Sequence, residues 1–193
     1  MNPFRWSRYA VVAAVMVAGP ALAHITPPVV LVSDRDALVA LLAGARRFFV
    51  REVRLTPEER ASIKTQSGWS PEEDLYRFYL GRDAEGRLVA AGTFVTEYTV
   101  HGPVRVAVAF GPQGRVREAR VVELTEETYG WVKPLIDGDF TRRFVGQDAR
   151  GRFTVAGANL DTMSQFYGQV IASLIQRAAV LFELGVLKRG DAV

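Results

Sequence analysis

Residues Gly157 to Gly185 read Gly-Ala-Asn-Leu-Asp-Thr-Met-Ser followed by Gln-Phe-Tyr-Gly-Gln-Val-Ile-Ala-Ser-Leu-Ile-Gln-Arg-Ala-Ala-Val-Leu-Phe-Glu-Leu-Gly. The second part has apolar residues at steps of three and four, which lie on one face of a helix and fit no strand. We predict a long last helix that ends at Gly185, because glycine tolerates the left-handed conformation that closes many helices. Its apolar positions are Phe166, Val170, Ile171, Leu174, Ile175, Ala178, Leu181 and Phe182.

Four polar side chains, Asn159, Asp161, Thr162 and Ser164, mark the start of this helix. Side chains of these types cap helices by accepting hydrogen bonds from free backbone N–H groups. A polar loop that leads into a helix also offers free N–H groups and a partial positive charge, which suit a phosphate. The pattern therefore predicts either a simple helix cap or a phosphate site.

The first 23 residues have the features of a secretory signal. Arg5 and Arg8 form a basic start, Tyr9 to Gly19 is an apolar run too short to span a bilayer, and Ala21-Leu22-Ala23 is a cleavage site of small residues. We predict cleavage after Ala23, a periplasmic location and no stable membrane span afterwards. The alternative is that the segment stays attached as an anchor.

Charge and composition exclude several classes of function. Removal of the two arginines of the signal lowers the formal net charge from +3 to +1. A net charge this small does not indicate binding to nucleic acid. The sequence has no cysteine, so disulfides, thiolate metal sites and iron–sulfur clusters are excluded. With 49% hydrophobic residues, the chain can fold on an apolar core alone.

Residues 24–74 are predicted to be mainly helical. After a short strand or tether at Val29 to Val32, Ser33 caps a helix expected over Asp34 to Phe49. Thr56-Pro57-Glu58-Glu59 is a capping box that opens a second helix, which ends before Gly68.

From Leu75 the apolar period changes to two, which indicates strands separated by turns. Two shorter helical pieces and the long last helix follow. We therefore predict an α+β fold with an antiparallel sheet of four to five strands, an N-terminal helical extension and a long C-terminal helix packed on the sheet. The expected strands are 75–80, 87–95, 104–110 and 116–124, with turns at 83–86 and 111–114, and the shorter helices are 131–136 and 140–144.

Several motifs follow one another in a characteristic order: Tyr98 with His101-Gly102-Pro103, the turn 111–114, Glu127-Thr128-Tyr129-Gly130, Phe144-Val145-Gly146-Gln147 and Leu160-Asp161-Thr162-Met163-Ser164. This order resembles the bacterial FMN-binding domain family. That domain occurs in the flavin subunits of Rnf and sodium-pumping NADH:quinone reductase complexes and in stand-alone periplasmic proteins. The resemblance covers 75–186 and leaves 187–193 as a tail.

The resemblance implies an FMN site in two parts. Glu127, Thr128, Tyr129 and Gly130 would lie beside the flavin, while Asp161, Thr162 and Ser164 would begin the phosphate loop and Tyr167 would stand at the flavin-attachment position. The family often has at that position a threonine joined to the flavin phosphate. A second register places Ala156-Gly157-Ala158-Asn159 on the loop. The acceptor threonine is absent in both registers, so noncovalent FMN is expected.

Three functions remain open. The first is an exported FMN electron-transfer protein that serves a redox partner protein or a membrane electron-transport complex, with Tyr129 and Trp131 able to stack on the flavin. The second is a degenerate, cofactor-free member of the family that acts as a binding or assembly module. The third is a copper protein that uses the amine and imidazole of His24, freed by signal cleavage, together with His101.

Overall fold

A computed structural model of the chain describes residues 26–155 and 160–190. They form an antiparallel sheet with helices packed on it, which confirms the predicted α+β class. The strands are β1 (Pro28–Val30), β2 (Arg47–Val53), β3 (Tyr76–Arg82), β4 (Leu88–Thr99), β5 (Gly102–Phe110) and β6 (Val116–Thr125). The helices are α1 (Asp34–Leu41), α2 (Pro57–Ser67), α3 (Glu126–Asp137) and α4 (Thr162–Phe182), with a 3-10 helix at Phe140–Phe144 and a π-helical turn at Glu183–Leu187.

The sheet has six strands in the order β1-β6-β5-β4-β3-β2, rather than the four to five predicted. The meander from β3 to β6 is confirmed, with each strand extending up to a few residues beyond its expected bounds. The expected helix from Asp34 to Phe49 is wrong beyond Leu41, because Gly44 takes a φ of 93° that breaks the helix and the chain continues as β2. Residues 24–74 therefore supply both edge strands of the sheet.

Each face of the sheet carries its own core. Val104, Val106, Val108 and Phe110 share one face of β5, and they pack under α4. The ring of Phe110 stacks on that of Phe182 with centroids 4.8 Å apart. Burial of each such large apolar side chain stabilises the fold by about 1.5–3 kcal/mol. The other face packs on α1 through a smaller cluster that contains Ala37, Leu41, Ala107, Ala109 and Val122.

The long last helix begins directly after Asp161, within the run of four polar residues expected to mark its start, but it does not end at Gly185. The π-helical turn carries the chain on to Leu187, and Gly185 is buried in it. A Cβ atom added to Gly185 would lie 2.5 Å from Cγ1 of Val53 in β2. This glycine therefore allows α4 to approach the sheet and does not close the helix. Beyond it, Arg189 forms an ion pair of 2.6 Å with Glu59 of α2.

Within the described ranges, one helix is long and apolar enough to cross a membrane, namely Thr162–Leu187. Of its most apolar window, 67% is buried inside the protein. This burial is that of a core helix, and it agrees with the position of α4 on the sheet.

Candidate functional site

The two parts of the predicted site lie next to each other. Glu127 to Gly130 belong to the first turns of α3, and Asp161 and Ser164 stand at the start of α4, which packs against α3. The Oγ atom of Ser164 lies 2.7 Å from the backbone carbonyl oxygen of Trp131 in α3. The fold thus brings together the residues that the family resemblance groups.

Asp161 caps α4, as the sequence predicts. Its Oδ1 atom accepts hydrogen bonds from the backbone N–H groups of Met163 at 2.9 Å and Ser164 at 3.0 Å. The Ser164 hydroxyl, 2.6 Å from Oδ2, and these backbone donors lower the pKa of the Asp161 carboxyl. The carboxylate therefore uses the free N–H groups that a phosphate at this helix start would need. Thr162, the next residue, is exposed.

Ser164 connects α4 to α3 from a buried position. The residue is 0% exposed, and its hydroxyl lies within hydrogen-bond distance of both the Asp161 carboxylate and the Trp131 carbonyl. A serine hydroxyl has one proton, so it donates to one of these acceptors at a time. The group serves the contact between the helices and is not accessible to a ligand.

We expect the Ser164→Ala substitution to lower the free energy of unfolding by about 1–3 kcal/mol, since it removes a buried hydrogen-bond donor. It should also raise the pKa of Asp161 toward that of an ordinary carboxyl, because the Ser164 hydroxyl is the largest cause of its lowering. Denaturant unfolding and a carboxyl titration by NMR measure the two effects. Thr162→Ala removes an exposed hydroxyl and should change stability by less than about 0.5 kcal/mol. An unchanged Asp161 pKa in Ser164→Ala would contradict this account.

The family resemblance implies a turn at Glu127-Thr128-Tyr129-Gly130, but these residues are helical. Thr125 and Thr128 form a capping box in which each hydroxyl accepts a hydrogen bond from the other residue's backbone N–H. This cap starts α3 five residues before the helix expected at 131–136. Thr128 is 0% exposed, so it cannot lie beside a flavin. A Cβ atom on Gly130 would have no neighbour within 4 Å, so no close approach of its backbone requires a glycine.

Tyr167, predicted at the flavin-attachment position, is instead a core residue with 0% exposure. Its ring stacks on that of Trp131, with centroids 5.7 Å apart and an interplanar angle of 10°. Its hydroxyl lies 3.3 Å from Oγ1 of Thr99 at the end of β4, and burial raises the pKa of Tyr167. The side chain thus fills the space between α3, α4 and the sheet. Its neighbour Phe166 is 48% exposed.

His101 joins the loop before β5 to this cluster. Its Nδ1 atom lies 2.8 Å from Oε1 of Glu127, and its ring meets the Trp131 ring edge-on at 5.1 Å. Thr125 donates a hydrogen bond of 2.7 Å from its hydroxyl to the His101 carbonyl. Sequence reasoning missed Thr99 and Thr125. The capping box was a signal for Thr125, while nothing near Thr99 in the sequence points to Tyr167.

The copper alternative lacks its ligand set in the described part of the chain. His24 lies outside the described residues, and His101 has a carboxylate, that of Glu127, as its partner. Among the residues that the structure describes, no group of three or more His, Cys, Asp and Glu residues is placed to hold a metal ion.

The described residues between α3 and α4 do not fit FMN. The Asp161 carboxylate already accepts from the N–H groups at the start of α4, and its charge would repel a phosphate. Tyr167 covers one face of Trp131, on which a flavin was expected to stack. The second register, with Ala156-Gly157-Ala158-Asn159 as the phosphate loop, lies outside the described residues, as do the predicted signal at 1–23 and the end of the tail at 191–193.

A cleft of about 580 Å³ lies beside this cluster, between β6, α3 and the 3-10 helix. The predicted site residue Tyr129 lines it, and its volume falls in the range of about 300–1,000 Å³ typical of small-molecule sites. Arg142 in its lining lies 3.6 Å from Asp139, and Arg120 is paired with Glu118. The other lining residues are mainly apolar, namely Leu31, Val32, Ala119, Val121, Leu135, Ile136, Phe140, Val145 and Ile171, with Thr141.

Comparison with known proteins assigns no family to the chain. The sequence matches none of the protein-family models with which it was compared, and no curated protein matches it. The resemblance to FMN-binding domains therefore rests on the order of the motifs alone.

Proposed function

We propose that this chain is an exported, cofactor-free binding module with a fold similar to that of FMN-binding domains. One observation carries the proposal: Tyr167, 0% exposed and stacked on Trp131, fills the space that a flavin would need. The hydroxyls of Ser164 and Thr128 are likewise used inside the protein. The predicted site thus serves as a packed junction between helices.

The cleft beside α3 is the place where such a module would take its ligand. Its walls are largely apolar, with Tyr129 and Phe140 among them, and the two arginines in its lining are paired with acids. A cleft of this character favours an uncharged, mainly apolar ligand or an apolar side chain of a partner protein over a phosphate-bearing one.

A second candidate is the electron carrier with noncovalent FMN, acting with a redox partner protein or a membrane electron-transport complex. The observation that favours it is the contact between Ser164 and Trp131, which places the two halves of the motif side by side. FMN would supply the redox chemistry. This function would require Tyr167 to leave its buried position and Asp161 to release the start of α4.

The test is the visible spectrum of the protein, purified from a host that carries flavin-attaching machinery and then titrated with FMN. We expect no flavin in the purified protein and no quenching of flavin fluorescence on titration. Flavin that is bound and then released on denaturation would support the electron carrier. Flavin that stays with the denatured chain would indicate attachment to a hydroxyl such as that of Thr162. Either result would overturn the cofactor-free proposal.

A pair of variants tests the stated reason for the lack of flavin. Tyr167→Ala opens the space beside Trp131, whereas Phe166→Ala removes the neighbouring aromatic ring, which is 48% exposed. If Tyr167 is the obstacle, any gain of FMN binding should occur in Tyr167→Ala and not in Phe166→Ala. A gain in both variants would show that the obstacle lies elsewhere.

A further inference from the structure

The edge strand β2 presents an unusual run of exposed apolar side chains. Phe48 is 63% exposed, Phe49 is 50% exposed and Val50 is 60% exposed. Successive side chains of a strand point to opposite faces, so exposure of all three means that both faces of the sheet are open at this edge. We refer to Phe48, Phe49 and Val50 together as the β2 edge surface.

An apolar groove continues this surface on the face that carries α1. The groove has a volume of about 710 Å³ and lies between α1 and the outer strands β2 and β3. Leu38 and Leu42 form its α1 wall, Tyr79 of β3 lies opposite, and Val39 at its margin is 68% exposed. The charged residue in its lining is Arg35. The groove and the β2 edge surface thus form one apolar region.

The segment that carries the β2 edge surface is positively charged. Residues 46–54 read Arg-Arg-Phe-Phe-Val-Arg-Glu-Val-Arg, with four arginines and one acid. That acid, Glu52, lies 3.3 Å from Arg77 of β3 and so is already paired. Arg46 and Arg54 are exposed, and within the described ranges neither forms an ion pair. The rest of the chain is close to neutral, so this charge is local.

The arginines argue against a second copy of the chain as the partner of this edge. Antiparallel self-pairing of β2 centred on Phe49 would place Arg47 opposite Arg51 of the second copy, and like charges directly opposite are unfavourable. Pairing centred on Val50 would place Phe49 opposite Arg51. The β2 edge surface instead suits a partner that has anionic groups on its outside and apolar groups directly below them.

We infer that the β2 edge surface binds the surface of a lipid bilayer that contains anionic lipids. Phe48, Phe49 and Val50 enter the boundary between headgroups and acyl chains, while Arg46 and Arg54 lie at the lipid phosphates. The backbone of the edge strand stays at headgroup depth, where water and headgroups satisfy its N–H and C=O groups. This inference does not depend on the function proposed above, since it uses the opposite edge of the sheet from the cleft.

A single fluorescent probe tests the contact directly. The chain has no cysteine, so Val50→Cys gives a unique position for an environment-sensitive dye. Val100→Cys is the matched control, because Val100 is a 94% exposed valine in the turn between β4 and β5. The full-length sequence is expressed, and the protein is used as the host processes it. Vesicles of phosphatidylglycerol and phosphatidylcholine in equal parts should shift the emission at position 50 to the blue and leave position 100 unchanged.

Two further conditions separate this contact from nonspecific binding. Vesicles of phosphatidylcholine alone should bind more weakly, and added salt should weaken binding to the anionic vesicles. No shift at position 50, or an equal shift at both positions, would overturn the inference.

Charge variants test the role of the arginines, with the dye at position 50 as the readout. Arg46→Gln with Arg54→Gln should lower the partition coefficient roughly 25-fold, at about a fivefold factor per arginine near an anionic surface. Arg150→Gln with Arg152→Gln changes the net charge equally at exposed positions outside the sheet and should have little effect. Equal losses in the two pairs would overturn the inference. The inference would also be overturned by a dimer that forms without vesicles and is dissociated by Val50→Asp. The partner of the surface would then be a second copy of the chain.

Discussion

Replacement of Tyr167 by alanine is expected to lower the free energy of unfolding by about 3–5 kcal/mol. The side chain is 0% exposed, stacks on Trp131 and packs against α3, so its removal leaves a cavity between two helices and the sheet. In a protein of this length the loss corresponds to a melting temperature lower by roughly 6–20 °C. Denaturant unfolding and thermal melting of the purified variant measure it.

Two variants control this experiment. Tyr167→Phe keeps the ring and removes the hydroxyl, whose contact with Thr99 is 3.3 Å long, so we expect a loss of about 1 kcal/mol or less. Phe166→Ala removes a ring that is 48% exposed and should cost clearly less than Tyr167→Ala. If Tyr167→Ala is no more destabilising than Tyr167→Phe, the ring is not part of the core and the space beside Trp131 is open to a ligand.

The second large effect is expected for Gly102→Ala, with a loss of about 2–6 kcal/mol. Gly102 has a φ of 100°, which a residue with a side chain adopts at a cost of about 1–3 kcal/mol. A Cβ atom would also overlap with Cγ2 of Thr125. Thr125 cannot easily turn away, because its hydroxyl bonds to the His101 carbonyl and helps cap α3. Overpacking of this kind adds about 1–3 kcal/mol.

Gly86→Ala separates the two contributions in this second experiment. Gly86 has a φ of 88°, close to that of Gly102, but a Cβ atom there would meet nothing within 4 Å. It therefore reports the backbone cost alone. Equal destabilisation by the two substitutions in denaturant unfolding would mean that Thr125 yields to the added methyl group, which would contradict the rigid contact described here.

Local sequence signals predicted much of the fold. The alternation of apolar residues with a period of two from Leu75 onward predicted the meander. Thr56 and Glu59 form the capping box that starts α2. Asp161, one of the four polar residues expected at the start of α4, caps that helix. Each of these features depends on residues a few positions apart, which is why a single sequence contains enough information to find them.

The errors arose where distant contacts override local pattern. Phe49 continues the helical spacing of Leu38 and Leu42, yet pairing with β3 makes it part of a strand. The break at Gly44 was the available sign that α1 ends early. In the sequence Gly185 resembles a helix end. In the structure its lack of a side chain leaves room for Val53, which lies more than a hundred residues earlier in the chain.

The residues that the family resemblance groups lie near one another in the structure, but their packing differs from the expected arrangement. The order of the motifs predicted that α3 and the start of α4 would lie together. In the structure they are joined by the contact between Ser164 and Trp131. The position of Tyr167 was not foreseeable, because its partner Thr99 comes from β4 and the stacking on Trp131 depends on the packing of the helices. Whether a side chain lines a pocket or fills it is decided by such contacts.

The pairing of β1 with β6 has a consequence for how the chain acquires its structure. Val29 lies opposite Leu124, about 95 residues later in the chain, so the first strand has no neighbour in the sheet until β6 has been synthesised. Closing so long a loop is slow compared with forming the hairpins between β3 and β6. We therefore expect the first strand to dock late, and until then β6 is an unpaired edge strand of the sheet.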